Sequence, residues 1–254
     1  MTLPQNPIVV IPARMASTRL PDKPLAMIHG EAMIVHCWRR AVEADIGPVI
    51  VACAEQAIAD VIEAAGGRAI LTDPGHPSGS DRIFEALQQV DPDQAHDAVI
   101  NVQGDLPTIE PQAVQAVFQP LENPEVDIAT LAARISNSEE RREPSVVKVA
   151  AAFAPGRNIA RALYFSRAPI PWDGGNENLP LYHHIGLYGF RRAALARFVS
   201  LPSSILEERE HLEQLRALEA GMRIDVARVD TVPFGVDTPA DLARARELLA
   251  PGQA

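Results

Sequence analysis

Cysteine is nearly absent from this chain of 254 residues: there are two, Cys37 and Cys53, and neither stands in a CxxC or Cys/His ligand spacing. A disulfide framework and a zinc-ribbon site are thereby excluded, and both thiols are expected to be small core residues. Positive charge is also in short supply. Lys and Arg number 23 against 33 Asp and Glu, a formal charge of -10, which argues against a broad nucleic-acid or anionic-membrane surface and means that any anionic ligand must meet a local cationic cluster. No apolar run approaches the roughly 20 residues that cross a bilayer, and no basic start leads into a long apolar stretch, so a cytoplasmic protein is the expectation. There is no Ser/Gly linker, low-complexity tract or internal repeat, and the chain reads as one compact unit. Missing, too, are G-x-x-x-x-G-K-[ST], G-x-G-x-x-G after a strand and H-E-x-x-H, which removes the main support for P-loop, dinucleotide-binding and zinc-protease readings.

What is present is ample apolar material, with 47% hydrophobic side chains against 22% charged, enough to bury a full core. In the first half, short β-branched runs at Ile8–Ile11, Val49–Cys53, Ala69–Leu71 and Ala98–Val102 alternate with helical patterns at Met33–Ala44, Gln56–Ala65 and Asp81–Val90. That alternation predicts an α/β fold with a doubly wound, mostly parallel sheet and ligand sites at the carboxyl ends of its strands. The second half changes character. Extended stretches at Asp127–Arg134, Val146–Phe153, Ala162–Ser166 and Gly186–Phe190 suit a mixed or antiparallel subregion, and Pro171–Pro180 reads as a surface loop. One helix is expected over Leu206–Ala220, carrying Leu212, Leu215 and Leu218, and a last one through Leu249. The last opens with Thr238-Pro239-Ala240-Asp241, a hydroxyl cap, a proline at the first helical position and an acid at the third.

Chemistry concentrates at two strand ends. After the first strand, Arg14, Ser17, Thr18, Arg19 and Lys23 put three cations and two hydroxyls into ten residues, the mixture of forked and point-charge donors that phosphate groups require. After the fourth, Gln103-Gly104-Asp105 sets an amide and a carboxylate at the same sheet edge. A hard dication such as magnesium takes one or two carboxylates together with substrate phosphates. Asp105 suits one such place and Asp237, delivered by a Gly-Val-Asp-Thr-Pro turn, a second; taken alone, each also reads as a turn or capping acid. Gly79-Ser80-Asp81-Arg82 opens a helix whose free N–H groups can meet an anion or a base edge. His183 and His184 lie on a strand, so at most one of them faces a given pocket.

Seven strings occur in order: I-P-A-R-M-A-S-T-R-L-P-D-K-P-L, H-P-S-G-S-D-R, V-Q-G-D, A-L-Y-F-S-R-A-P-I-P-W, H-H-I-G-L-Y-G-F, L-E-Q-L-R and G-V-D-T-P. Together they resemble the 3-deoxy-manno-octulosonate cytidylyltransferases, or CMP-Kdo synthetases, over nearly the whole chain. The resemblance implies a Rossmann-like nucleotidyltransferase fold with helices on both faces of the sheet. Its CTP-binding part would span about 8–125, its sugar-binding and dimerisation part about 126–221, and a terminal strand and helix 222–250. It further implies a magnesium-dependent cytoplasmic homodimer that converts CTP and Kdo to CMP-Kdo and pyrophosphate for lipopolysaccharide assembly, the Kdo anomeric hydroxyl attacking the α-phosphorus.

Carried over residue by residue, Arg14, Ser17, Arg19 and Lys23 hold the phosphates, and Gly79 and Ser80 lie near the cytosine. Asp105 and Asp237 bind the metal, and Gln103, Arg167, His184, Tyr188, Glu213 and Gln214 line the Kdo pocket. Arg14, Lys23, Asp105 and Asp237 are the expected catalytic set. Two positions depart from the family's usual pattern: Leu106 stands where many members have an acid, and His183 where many have Lys or Arg. Alternatives are a cytidylyltransferase for another acidic sugar, 8-amino-Kdo or a sialic acid, and a nucleotide-sugar glycosyltransferase; the latter usually wants D-x-D, where this chain has Gln103-Gly104-Asp105.

Overall fold

A computed structural model describes residues 3–17, 19–172, 174–176 and 178–250; Thr18 of the cationic turn and Asp173 of the Pro171–Pro180 loop lie outside the described residues. In chain order the elements are β1 (Pro7–Ala13), β2 (Met27–Ile28), β3 (Glu31–Ala32), α1 (Met33–Glu43), β4 (Val49–Cys53), α2 (Gln56–Ala64), β5 (Arg68–Leu71), α3 (Gly79–Val90), β6 (Ala98–Asn101) and α4 (Pro111–Phe118). They continue with β7 (Ile128–Arg134), β8 (Lys148–Ala151), β9 (Ile159–Ser166), β10 (Tyr182–Arg191), α5 (Arg192–Ser200), α6 (Ile205–Glu210), α7 (Gln214–Glu219), β11 (Ile224–Val229) and α8 (Pro239–Leu248). The chain divides into two compact units, Gln5–Gln115 with Pro233–Ala254, and Met1–Pro4 with Ala116–Val232.

The unit that starts at Gln5 is built on β5-β4-β1-β6, all parallel. A parallel strand covered on both faces must be apolar on both, and Ile8, Val9, Val10 and Ile11 of β1 and Ala98, Val99 and Ile100 of β6 are all buried. Cys53 on β4 and Cys37 on α1 are fully buried, as small core residues. The chain steps outward from β1 to β4 to β5 and then returns to β6. Right-handed crossovers therefore put α1 and α2 on one face and α3 on the other. A smaller cluster of Leu20, Ile28, Met33, Cys37, Val236, Leu242 and Ala245 packs the cationic turn, α1 and α8 together.

Several boundaries fall where the sequence puts them. α1 starts at Met33 and α2 at Gln56, while α3 starts two residues before Asp81, because Ser78 caps it by accepting from the Asp81 amide at 3.3 Å. α8 has the expected start, with Thr238 and Asp241 forming a reciprocal capping box and Pro239 at its first position.

The other unit orders its strands β10-β7-β11-β9-β8, with β11 parallel to β7 and the remaining neighbours antiparallel. All four expected extended stretches form strands, β9 and β10 beginning three and four residues earlier than read. β10 carries a register shift between Ile185 and Tyr188. The single helix expected over Leu206–Ala220 is corrected. His211 adopts a left-handed conformation at φ 54 and separates α6 from α7, each closed by its own contacts: Ser204 and Glu207 form a capping box on α6, and Arg216 of α7 reaches back to Glu207 with Nε donating at 2.8 Å. Leu212 and Leu215 point into this unit's own core. Helices α4 and α5 had no strong sequence signal. Among the described residues, no helix is long and apolar enough to cross a membrane.

Candidate active site

Strand order reverses between β1 and β6, and the carboxyl ends at such a switch point are where open α/β sheets bind ligands. Gly104 lets the two ends approach: a Cβ there would sit 2.8 Å from the Pro12 carbonyl oxygen, closer than a side chain comes to backbone, and 3.0 Å from Ile34 Cδ1. Beyond β1 the chain folds tightly. The Met15 amide donates to Glu55 Oε2 at 3.1 Å, Ser17 N to the Met15 carbonyl at 2.7 Å, and Leu20 N to Ser17 Oγ at 3.4 Å. These bonds fix the backbone and leave the cationic side chains to define a cavity of about 540 Å³, lined by Arg14, Ser17, Arg19, Lys23, Gly79, Gln103 and Asp105 among others. Ser80, expected beside them, is buried in the first turn of α3.

Lys23 joins the two acids. Its Nζ donates to Asp105 Oδ2 at 2.7 Å and to Asp237 Oδ1 at 3.0 Å, and Arg19 Nη2 lies 3.1 Å from Asp237 Oδ2. Burial by itself would lower the ammonium's pKa, but the Asp105 and Asp237 carboxylates outweigh it and hold Lys23 above the usual lysine value. The backbone fixes the pair as well, since the Val236 amide donates to the Asp105 carbonyl at 3.0 Å. Asp241 Oδ2 accepts from the amides of Asp237 at 3.1 Å and Thr238 at 2.8 Å. The helix start that is legible in the sequence thus also aims Asp237.

Arg82 also lines this cavity, and sequence reasoning did not single it out as a site residue. It is 2% exposed. Its Nη1 donates to Thr72 Oγ1 at 2.5 Å, while Nη2 is buried with no partner among the described residues. Burial lowers its pKa, Glu55 opposes the shift and Arg14 adds to it. The signal was there: an arginine one turn ahead of Ala86 sits on the buried stripe of α3 rather than on its solvated side.

The residues expected around a sugar acid divide between the units, with Gln103 in the cavity above and the rest in the unit that contains Ala116–Val232. There His184 packs edge-on to Phe165 at 4.8 Å between ring centroids and lies 5.7 Å from Tyr188. Burial, with His183 adding to it, pushes His184 down to about 3. The ring is therefore neutral, and Nε2 lies 3.0 Å from Thr130 Oγ1, which donates to the Leu187 carbonyl at 2.8 Å. Burial, reinforced by Glu213, pushes the Tyr188 phenol up.

Gln214 is 5% exposed and its Nε2 has no partner among the described residues. Arg167 differs in kind: its guanidinium donates to the carbonyls of Glu210 (2.8 Å), Pro144 (3.1 Å) and His211 (3.3 Å), tying the end of β9 to the α6–α7 break. Of the two departures, Leu106 is a buried apolar residue. His183 stands opposite Lys148 across β10 and β8, its pKa lowered by burial against the pull of Glu140.

A parallel sheet whose switch point holds a cation-lined cavity and two converging carboxylates defines a nucleotidyltransferase. Residues 8–224 match the family described as cytidylyltransferase. The chain is 67% identical to a 3-deoxy-manno-octulosonate cytidylyltransferase of Rhodospirillum centenum over 98% of its own length and 95% of that protein's. It is 62% identical to the protein of that name from Paramagnetospirillum magneticum, over 96% and 98% of the two chains. It shares its fold with the solved structure of a CMP:2-keto-3-deoxy-manno-octonic acid synthetase complexed with CTP, at TM-score 0.89 and 41% identity over 97% of this chain and 99% of that one. The chain belongs to the cytidylyltransferase family, in its 3-deoxy-manno-octulosonate branch.

Proposed function

We propose that this enzyme transfers the cytidylyl group of CTP to 3-deoxy-D-manno-octulosonate, releasing pyrophosphate and giving CMP-Kdo for lipopolysaccharide assembly, and that it works in the cytoplasm as a homodimer. The observation that carries this reading is the meeting of Asp105 and Asp237 on the cationic nitrogen of Lys23, which with Asp105, Arg14 and Arg19 lines the cavity. Acids and cations at one site can serve a divalent ion and a triphosphate together.

Magnesium fits these residues. Two carboxylate oxygens already within 3.0 Å of a single Nζ are hard donors of the kind the ion takes, with phosphate oxygens and water completing its shell. Bound by Asp105 and Asp237, it supplies positive charge that makes a hydroxyl more acidic and a phosphate a better leaving group. The remaining work belongs to the chain. Arg14, Ser17, Arg19 and Lys23 grip the triphosphate, and Arg14, Arg19 and Lys23 neutralise the charge that develops on departing pyrophosphate. Gly79 and Ser80, at the start of α3, border the cytosine, where the open Nη2 donor of Arg82 suits an acceptor on the nucleotide.

On the sugar side, the two N–H donors that Arg167 keeps beyond its three carbonyl bonds serve the carboxylate of Kdo. Gln103, Tyr188, Glu213 and Gln214 exchange hydrogen bonds with its hydroxyls, and His184 contributes a neutral imidazole that adds no charge. The anomeric hydroxyl is thereby held in line with the α-phosphorus. The test is pyrophosphate release from CTP with Kdo, 8-amino-Kdo or sialic acid, each with and without magnesium. Product is expected only with CTP, Kdo and magnesium together, falling at least a hundredfold in Asp105→Asn or Asp237→Asn; turnover of sialic acid in place of Kdo would overturn the assignment.

A further inference from the structure

In this structure the metal-type carboxylates and the phosphate-type cations do not stand apart: they neutralise each other. Lys23 Nζ bridges Asp105 and Asp237 at 2.7 and 3.0 Å, and Arg19 covers the second oxygen of Asp237 at 3.1 Å. The lysine side chain is only 16% exposed, so its two contacts are screened less than surface pairs are. Its backbone is pinned. Asp22 takes a left-handed conformation, and the Leu25 and Ala26 amides donate to the Asp22 and Lys23 carbonyls at 2.8 and 3.1 Å, which leaves the four-carbon stem as the part free to move.

We propose that Lys23, besides gripping the triphosphate, stands in for the divalent ion between the two carboxylates, and that loading is an exchange: the triphosphate draws Lys23 and Arg19 off the carboxylates as the metal takes their place. This rests on Asp105 and Asp237 being the metal pair. Two carboxylates brought onto one nitrogen repel each other when that nitrogen is removed, and cations gathered to grip a triphosphate repel one another likewise. Pairing the two sets holds both in working geometry without a ligand. Lysine suits the task because it is a point charge on a flexible stem, whereas an arginine fork would lock bidentately onto a carboxylate.

The consequence is thermodynamic. Metal arriving alone must displace an ammonium, and triphosphate arriving alone must strip cations from acids and leave those acids bare. Arriving together, they leave no charge unpaired, so each raises the protein's affinity for the other.

The experiment uses free Mn²⁺, counted by its electron paramagnetic resonance signal, against nucleotide-free full-length protein. Lys23→Met is expected to bind Mn²⁺ at least fivefold more tightly than the parent, and adding Asp237→Asn to it is expected to abolish the gain. In a second arm, titration calorimetry in EDTA is expected to show metal-free CTP binding Asp105→Asn at least threefold more tightly than the parent. This arm stands by itself if Lys23→Met does not fold by circular dichroism. If Mn²⁺ binding depends on Asp237 yet Lys23→Met binds no more tightly, the exchange is wrong and the metal pair survives. If neither aspartate affects Mn²⁺ binding, the metal pair fails and the exchange with it.

Discussion

Arg82 shows how much one side chain can hold in reserve. A buried guanidinium with an open donor lacks the hydrogen-bonding partners that normally offset the loss of water, and this one also lies near a second cation, Arg14. The Thr72 bond and the charge of Glu55 do not by themselves complete that arrangement. A ligand that supplies the missing acceptor does, since a hydrogen bond to a charged group contributes about 1.5–3 kcal/mol. Arg82→Met, similar in reach and uncharged, is therefore expected to raise the KM for CTP about tenfold or more while the apo protein melts no lower than the parent. Steady-state kinetics and a thermal scan without nucleotide check both halves. A variant that melts lower with its KM unchanged would make Arg82 a structural residue.

At the scale of elements, what the sequence made legible follows the physics of each signal. Continuous β-branched runs such as Ile8–Ile11 announce buried parallel strands, and Thr238-Pro239 announces a helix start, because both depend on local chemistry alone. The α6–α7 break escaped notice because a left-handed histidine at position 211 has no glycine to mark it, and Leu212, Leu215 and Leu218 keep a helical spacing directly after it. Arg82 escaped because an arginine reads as a solvated residue until its burial is seen. The convergence of Asp105 with Asp237 could be suspected from their strand-end and turn contexts, but the Lys23 bridge joins residues 82 and 214 positions apart, which no local pattern encodes.

The same elements bear on assembly. Leu212 and Leu215 are spent inside their own unit and cannot form a dimer face. The most exposed of the large apolar side chains of that unit are Leu163 on β9 at 65%, Ile205 at the start of α6 at 80% and Trp172 at 90%. Exposed apolar side chains of this kind are what an interface covers. Sedimentation is expected to give twice the 27.5 kDa of one chain, and Leu163→Glu to shift the population toward the single-chain mass. A parent protein that sediments as 27.5 kDa would refute the homodimer.

Across the whole molecule, the buried His184 and the half-buried His183 set how stability responds to acid. His184 is ordinarily protonated below about 6.5, but burial drives its folded value down to about 3, and His183 shifts in the same direction for the same cause. Above pH 6.5, His184 is neutral whether folded or not, and pH has no leverage through it. Below that, the unfolded chain takes up a proton that the folded chain refuses, so stability falls by up to about 1.4 kcal/mol per pH unit for each such group until the folded value is reached. Carboxylates whose folded values are lowered, Asp241 by its bonds to Thr238 and Asp237 against burial, and Glu85 by Asp73 and His76 against burial, begin to lose their contribution only at still lower pH.

An opposing effect exists, because acid also reduces the net charge of -10 and relieves self-repulsion. That relief is spread over the solvated surface and screened by salt, whereas the histidine effect is buried and is not. Stability measured by urea unfolding is therefore expected to fall from pH 7 to pH 5 even in 0.2 M salt, and His184→Gln to reduce that slope by about one proton. Parent and variant unfolding with equal slopes would mean that His184 is not held neutral in the folded protein.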